Sequence, residues 1–324
     1  MSRLQSPIPL VVIVGPTASG KSSLALRLAE SLGAEIVACD AMQVRAGLPL
    51  LTAKPTPHEL ARIPHHLIGA FGVDEPATAA RYAEQADDVI AAIHARGKRV
   101  ILCGGTGLYL RALCEGLVAT PKADPEIRVR LRAQAETEGI AALHAQLAEI
   151  DEASAARISK ADYVRIERAL EVYELTGKTM TDWHRENQAE RAQGPRYQTI
   201  RIGLDPGPET LRERIAVRTQ SWLQDGLCEE VASHHAQHGP MQFPPLGYQQ
   251  VLRHLYGTGS DHLDQESMLR EICQKTAQYA RRQRIWFRSE PGIAWYEDGV
   301  QVDSTHLDAG SISIPPSEEV PYVM

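Results

Sequence analysis

The 324-residue chain is poor in aromatic residues, with three Phe, four Trp and ten Tyr, and it has no long apolar run. Its longest apolar stretches, Pro9 to Val14 and Val100 to Cys103, fall far short of the ~20 residues that a helix needs to cross a bilayer, so no membrane partner is expected. Cysteine is scarce and odd in number: Cys39, Cys103, Cys114, Cys228 and Cys273 show no metal-ligand spacing. That argues against a disulfide framework and fits free thiols in a reducing cytosol. No set of Cys and His follows Cys273, so no C-terminal zinc finger is expected. A basic excess is missing too. The formal net charge of −7 excludes a protein that coats nucleic acid indiscriminately, yet leaves room for a local basic groove. The opening MSRLQSPIPLVVIVG runs straight into a strand pattern, without the separate apolar segment and small-residue cleavage site of a signal peptide; a cytoplasmic protein is expected.

What is present reads as an alternating α/β chain. PLVVIVG is a β-branched run ending in glycine, AEIVACD a second strand ending at Asp40, and KRVILCGG a third. Helical spacing follows each of them, over Lys21 to about Leu32, Thr78 to Arg96 and Thr106 to Glu115. Strands alternating with helices imply a parallel sheet covered on both faces. From about Glu126 to Glu186 the text is nearly all helical. A strand returns at Thr199 to Leu204, then helices over about 209–225, 228–238, 248–255 and 265–288, and a last strand at 292–296. The expected organisation is an α/β core in two parts, 1–125 and 191–300, with a helical insertion at 126–190 and a loose tail at 301–324.

Chemistry enters at Gly15-Pro16-Thr17-Ala18-Ser19-Gly20-Lys21-Ser22, which matches G-x-x-x-x-G-K-[ST] between a strand and a helix. Backbone N–H groups and the helix N-terminus point inward at an anion, Lys21 adds positive charge, and the Ser22 hydroxyl can ligate Mg²⁺. The expected fold is therefore P-loop NTPase-like. Enzymes that cleave nucleotides in such a cradle use an acid at the end of a neighbouring strand. The third strand offers Cys103-Gly104-Gly105 instead. The acid in a suitable place is Asp40, which the topology rule for open α/β sheets puts beside the cradle, as a base or as the holder of a metal-bound water.

Nine stretches in order, covering roughly Pro9 to Arg288, resemble the tRNA dimethylallyltransferases: GPTASGKSSLA, DAMQV with GLPLLTAKP, PHHLI, GGTGLYLRAL, ADPEIRVRL, RIERALEVYELTGK, GLCEEV, LGYQQ and QYARRQRIWFR. The resemblance implies that the cradle holds the diphosphate of dimethylallyl diphosphate, and that the prenyl group moves to N6 of an adenine next to the anticodon in the tRNA stem-loop. It implies Asp40 as general base and Thr106 as a helper of the leaving group. Lys21 and Arg218 would neutralise the diphosphate, with Mg²⁺ near Ser22. Contacts to the base are implied for Asp40, Ala41, Met42 and Gln43, and contacts to RNA for Arg128, Val164, Arg165, Ile166, Glu167 and Arg168. A monomer is implied. The stretch Lys275 to Arg288, with five basic residues and no acid, suits phosphate-backbone contact. His65 and His66 suit a structural or RNA-contact role.

The chain departs from the family pattern at Ala41 (usually Ser), Arg45 (Tyr), Gly69 (Asp), Ser159-Lys160-Ala161-Asp162 (His-Pro-Asn-Asp) and Ala277 (Arg). The loss at Ala277 removes a candidate diphosphate ligand, for which Arg45 is the candidate replacement. Two alternatives stay open: a small-molecule kinase using ATP in the same cradle, and a catalytically impaired tRNA-binding relative.

Overall fold

The computed structural model describes residues 7–117, 120–191 and 196–302. The chain opens with β1 (Ile8–Val14), in which every residue but Pro9 is buried, as a strand covered on both faces requires. Then follow α1 (Lys21–Leu32), β2 (Ala34–Ala38), α2 (Pro57–Arg62), β3 (His65–His66), α3 (Ala79–Ala95), β4 (Arg99–Gly104) and α4 (Gly107–Glu115). Five helices succeed them: α5 (Pro125–Glu138), α6 (Ile140–Ile150), α7 (Glu152–Arg157), α8 (Tyr163–Thr176) and α9 (Met180–Arg191). The chain then gives β5 (Tyr197–Leu204), α10 (Pro208–Gln224), α11 (Leu227–His238), α12 (Tyr248–Tyr256), α13 (Gln265–Arg288) and β6 (Ile293–Tyr296).

The six strands form one sheet in the order β3-β2-β4-β1-β5-β6, and every pairing is parallel. The α/β core expected from the strand–helix alternation is what the chain forms. Two differences are local. β2 stops at Ala38, and Asp40 instead makes a turn, its Oδ1 accepting the Met42 N–H at 2.9 Å. Helix α2 and strand β3 are too short for periodicity to reveal. What makes α2 is its capping box, in which Thr56 and Glu59 cap each other's backbone N–H, with proline at the first turn.

The chain folds as two compact units: the described residues up to Cys114 together with those from Arg196 on, and the segment Glu115–Pro195. The helical unit thus begins at Glu115. It has its own core of Leu131, Leu143, Leu147, Ile166 and Leu170. The sheet unit holds a core between α1 and the strands, with Ile13, Leu28, Ile101 and Ile202. A second core, among α10 to α13, contains Leu51, Trp222, Tyr248 and Ile272. Residues 303–324 of the expected tail lie outside the described residues. Among the described residues no helix is long and apolar enough to cross a membrane.

Candidate active site

The turn from β1 to α1 wraps a small space lined by donors. Ala18 and Gly20 take left-handed backbone at φ 64 and 94, which bends the loop sharply before α1 begins. Lys21 Nζ folds back onto the Pro16 carbonyl at 2.5 Å. Two arginines one helical turn apart on α10 reach the loop: Arg218 donates to Thr17 Oγ1 at 3.1 Å and Arg214 to the Ser19 carbonyl at 3.2 Å. One turn further on, Trp222 carries the Arg218 guanidinium 4.7 Å above its ring. Burial lowers the Lys21 ammonium to about 8 and also pulls Arg218 down, because charge is held there away from water. Ser19 Oγ and Arg218 Nε are buried with no hydrogen-bond partner among the described residues. Unsatisfied donors gathered around two cations are the signature of a site built for an anion.

Asp40 stands within electrostatic range of both cations, raising the pKa of each. Thr106, which opens α4, accepts the Ala41 N–H on Oγ1 at 2.9 Å and donates its own N–H to the Cys39 carbonyl at 3.1 Å. The departure at Ala41 thus leaves this contact intact, since the backbone makes it. β4 ends in glycine for a steric reason: a Cβ on Gly104 would lie 2.0 Å from the Cys39 carbonyl oxygen. No carboxylate stands at the end of β4; burial there pushes the Cys103 thiol up to about 11. One cleft joins Thr17, Asp40, Arg218 and Arg282 to an apolar wall of Met42, Leu51, Trp222, Pro244, Pro245 and Leu246.

The sequence reading places Arg282 in a basic strip and gives no site role to Tyr279 or Gln283. Gln283 bridges the phosphate loop and the end of β4. Tyr279 lines the cleft, its hydroxyl pushed up by burial and by the Asp40 charge while hydrogen bonding with Thr106 and Gln283 opposes the rise. Arg282 lines it as well. The spacings Arg214-Arg218-Trp222 and Thr276-Tyr279-Gln283, each one helical face, are the signals that point to them.

Ser22 is exposed on the first turn of α1. Among the described residues no group of three or more His, Cys, Asp or Glu could hold a metal ion. One hydroxyl beside an anion cradle fits Mg²⁺ carried by phosphate oxygens and water, and does not fit a protein cage.

The remaining sequence-derived positions separate. Ala41, Met42 and Gln43 follow Asp40 directly, and Met42 lines the cleft. The Gln43 amide is engaged within the sheet unit, donating to the Ala53 carbonyl at 2.6 Å. In the helical unit, Val164 and Arg165 are exposed at 70% and, for the arginine side chain, 64%. Ile166 is core, and Glu167 accepts the Tyr163 hydroxyl at 2.6 Å. Arg128 and Arg168 both close on Glu171, whose side chain is fully buried. Asp162, the last residue of the altered four-residue stretch, caps α8.

The basic strip of α13 does not form one surface. Arg284 and Arg288 are held by the buried Asp205, Arg282 faces the cleft, and Arg281 lines a groove between α10 and α13 together with Ala277. Arg45 does not replace the missing charge either. It donates to the Val73 and Glu75 carbonyls at 3.3 and 3.0 Å and stacks 5.0 Å from the Phe243 centroid. His65 and His66 form β3 and bond to the Ile63 carbonyl and the Glu35 carboxylate, a structural role.

A family model described as IPP transferase matches residues 43–290. A tRNA dimethylallyltransferase of Geobacter sulfurreducens is 44% identical over 303 residues, covering 92% of this chain and 95% of that protein. The crystal structure of a tRNA isopentenylpyrophosphate transferase from Bacillus halodurans superposes with a TM-score of 0.63 at 32% identity, covering 91% of each chain. A eukaryotic dimethylallyltransferase acting on tRNA superposes with a TM-score of 0.74 at 25% identity, over 94% of this chain and 77% of that one.

Proposed function

The chain belongs to the IPP transferase family, and from that membership we propose that it transfers the dimethylallyl group of dimethylallyl diphosphate to N6 of an adenine beside the anticodon of a tRNA, releasing diphosphate. The observation that carries this reading is the cleft itself. It brings Asp40 and the desolvated Arg218 together with an apolar wall, and Arg218 also reaches the loop that carries the orphaned Ser19 hydroxyl and the desolvated Lys21.

The N6 amine attacks the first carbon of the donor. The bond from that carbon to oxygen breaks, its electron pair leaves with the diphosphate, and the proton lost by N6 passes to Asp40. An allylic carbon spreads positive charge by resonance, so departure of the diphosphate is the demanding event. Fixed donors at Lys21, Arg218 and Ser19 meet the charge that develops on it. Thr106 accepts the Ala41 N–H on its oxygen and hydrogen-bonds with the Tyr279 hydroxyl, so its own proton must turn from Tyr279 to meet the leaving group. Mg²⁺, held by the diphosphate, water and Ser22, would supply further charge neutralisation there. Met42, Leu51 and Trp222 keep water from the allylic carbon, where it would compete with the amine. The adenine must turn out of the stacked loop to reach Asp40. Val164 and Arg165, exposed on the helical unit, are assigned to the RNA backbone.

Incubation with Mg²⁺, labelled dimethylallyl diphosphate and unmodified tRNA, with AMP and ATP in parallel, tests the proposal. Label entering the tRNA is expected. Prenylation of AMP with none on tRNA, or phosphoryl transfer from ATP, would overturn it.

A further inference from the structure

Two motifs that the mechanism leaves unused, GLCEEV at 226–231 and LGYQQ at 246–250, converge on one loop. Residues 47–54 give Leu51, Thr52 and Ala53 to the cleft. Leu48 and Ala53 in that loop take left-handed backbone, at φ 48 and 50, which a non-glycine residue keeps only where its surroundings impose it. Part of the constraint is internal, with the Thr52 N–H and hydroxyl both donating to the Leu48 carbonyl and the Lys54 N–H to that of Pro49; the rest comes from outside the loop. Glu230 on α11 accepts the Leu50 N–H on one carboxylate oxygen at 2.7 Å and the Leu51 N–H on the other at 3.0 Å. Gln43 holds the Ala53 carbonyl from the opposite side. Leu51, 4% exposed, is driven into the cluster of Trp222, Leu227, Val231, Tyr248 and Ile272. Gly247 makes room for it: a Cβ there would lie 2.8 Å from Leu51 Cδ1.

We propose that Glu230 is a positioning residue that fixes the depth of the apolar wall and, through it, the length of allylic chain the donor can carry. The inference rests on the prenyl-transfer reading. The phosphate end of the donor is fixed by the cradle on β1 and α1, and its far end meets the wall at Leu51 and Trp222. A wall at constant depth accepts a chain of one length and rejects a longer one. The two N–H groups on one carboxylate set that depth. Without the carboxylate they lose both partners, and the strained loop relaxes away from the cleft.

The test uses the full chain and the variants Glu230→Ala and Glu230→Gln. Three quantities are measured: the Kd for inorganic diphosphate, the KM for tRNA, and the ratio of kcat/KM for dimethylallyl diphosphate over geranyl diphosphate. Diphosphate affinity and tRNA KM are expected to stay within about twofold of the unaltered protein. The ratio should fall about tenfold or more in Glu230→Ala. It should fall less in Glu230→Gln, which keeps one acceptor oxygen. An unchanged ratio overturns the proposal, as does loss of diphosphate binding in Glu230→Gln, which would make Glu230 a general support of the fold. An unaltered protein that binds diphosphate yet prenylates no tRNA removes the underlying reading, and the proposal with it.

Discussion

Gln283 ties the phosphate loop to the end of β4: its Oε1 accepts the Thr17 N–H at 2.8 Å while its Nε2 donates to the Gly105 carbonyl at 2.8 Å. The residue lies on α13, far along the chain from both partners, and only 5% of it is exposed. Gln283→Ala leaves a buried donor and a buried acceptor without partners, so a stability loss of about 1–3 kcal/mol is expected in thermal unfolding. Calorimetry should show weaker binding of inorganic diphosphate, because Thr17 is also the Arg218 contact. Unchanged diphosphate affinity in a variant of lowered Tm would confine Gln283 to a structural role.

Asp40→Asn tests the proposed role of Asp40 as proton acceptor. Asparagine keeps the Oδ1 that accepts the Met42 N–H at 2.9 Å, so the turn after β2 survives. It cannot take a proton from the amine. Transfer should fall about 10²–10⁴-fold, the usual contribution of general base catalysis, while donor and tRNA still bind. Near-normal turnover would remove Asp40 from the role of base.

The sequence made some of this legible and hid the rest for physical reasons. The sheet, β3 apart, is readable because its strands are short runs ended by glycine or a turn, and the cradle because its spacing is local. Asp40 follows from topology once the cradle is placed. The side of α13 that reaches the cleft is not readable from its basic content. Arg284 and Arg288 are drawn off by Asp205, a partner 79 residues away from Arg284, so rotation of the helix decides which cations remain available. Glu171 is hidden likewise. It reads as one more charge on an amphipathic helix, yet it accepts from Arg128, Arg168 and the Asp124 N–H.

His234 predicts an acid limit to stability. It is buried against Gly47, and neither ring nitrogen has a partner among the described residues. Burial lowers its pKa, and the neighbouring His238, His235 and Lys54 act in the same direction while Asp74 opposes them. The unfolded chain therefore binds the proton more tightly than the folded one. Stability contributed by the neutral ring is fully present above 6.5 and is lost as pH falls below it, by up to about 1.4 kcal/mol per pH unit until the native pKa is reached. His234→Leu keeps a comparable volume and carries no proton. Urea unfolding between pH 7 and 5 should show a shallower decline in this variant than in the unaltered protein; parallel slopes would refute the assignment.

Arg165 and Arg168 share a face of α8, yet they should respond differently to removal. Arg165 is exposed and, among the described residues, pairs with Asp162 at 3.2 Å, a surface contact worth about 0–1 kcal/mol. If it meets an RNA phosphate, Arg165→Ala should leave Tm nearly unchanged. The slope of log affinity for tRNA against log salt should then become shallower by about 0.7–0.9. Arg168 donates to Glu171, to Thr120 Oγ1 at 2.9 Å and to the Pro121 carbonyl at 2.6 Å, all within the helical unit. Arg168→Ala leaves the buried Glu171 with one cation fewer and should destabilise the unit by about 1–3 kcal/mol. Any loss of tRNA affinity would then come from the altered unit and leave the salt slope nearly unchanged. A shallower slope in Arg168→Ala with an intact Tm would show that this guanidinium meets phosphate directly and that Glu171 tolerates its departure.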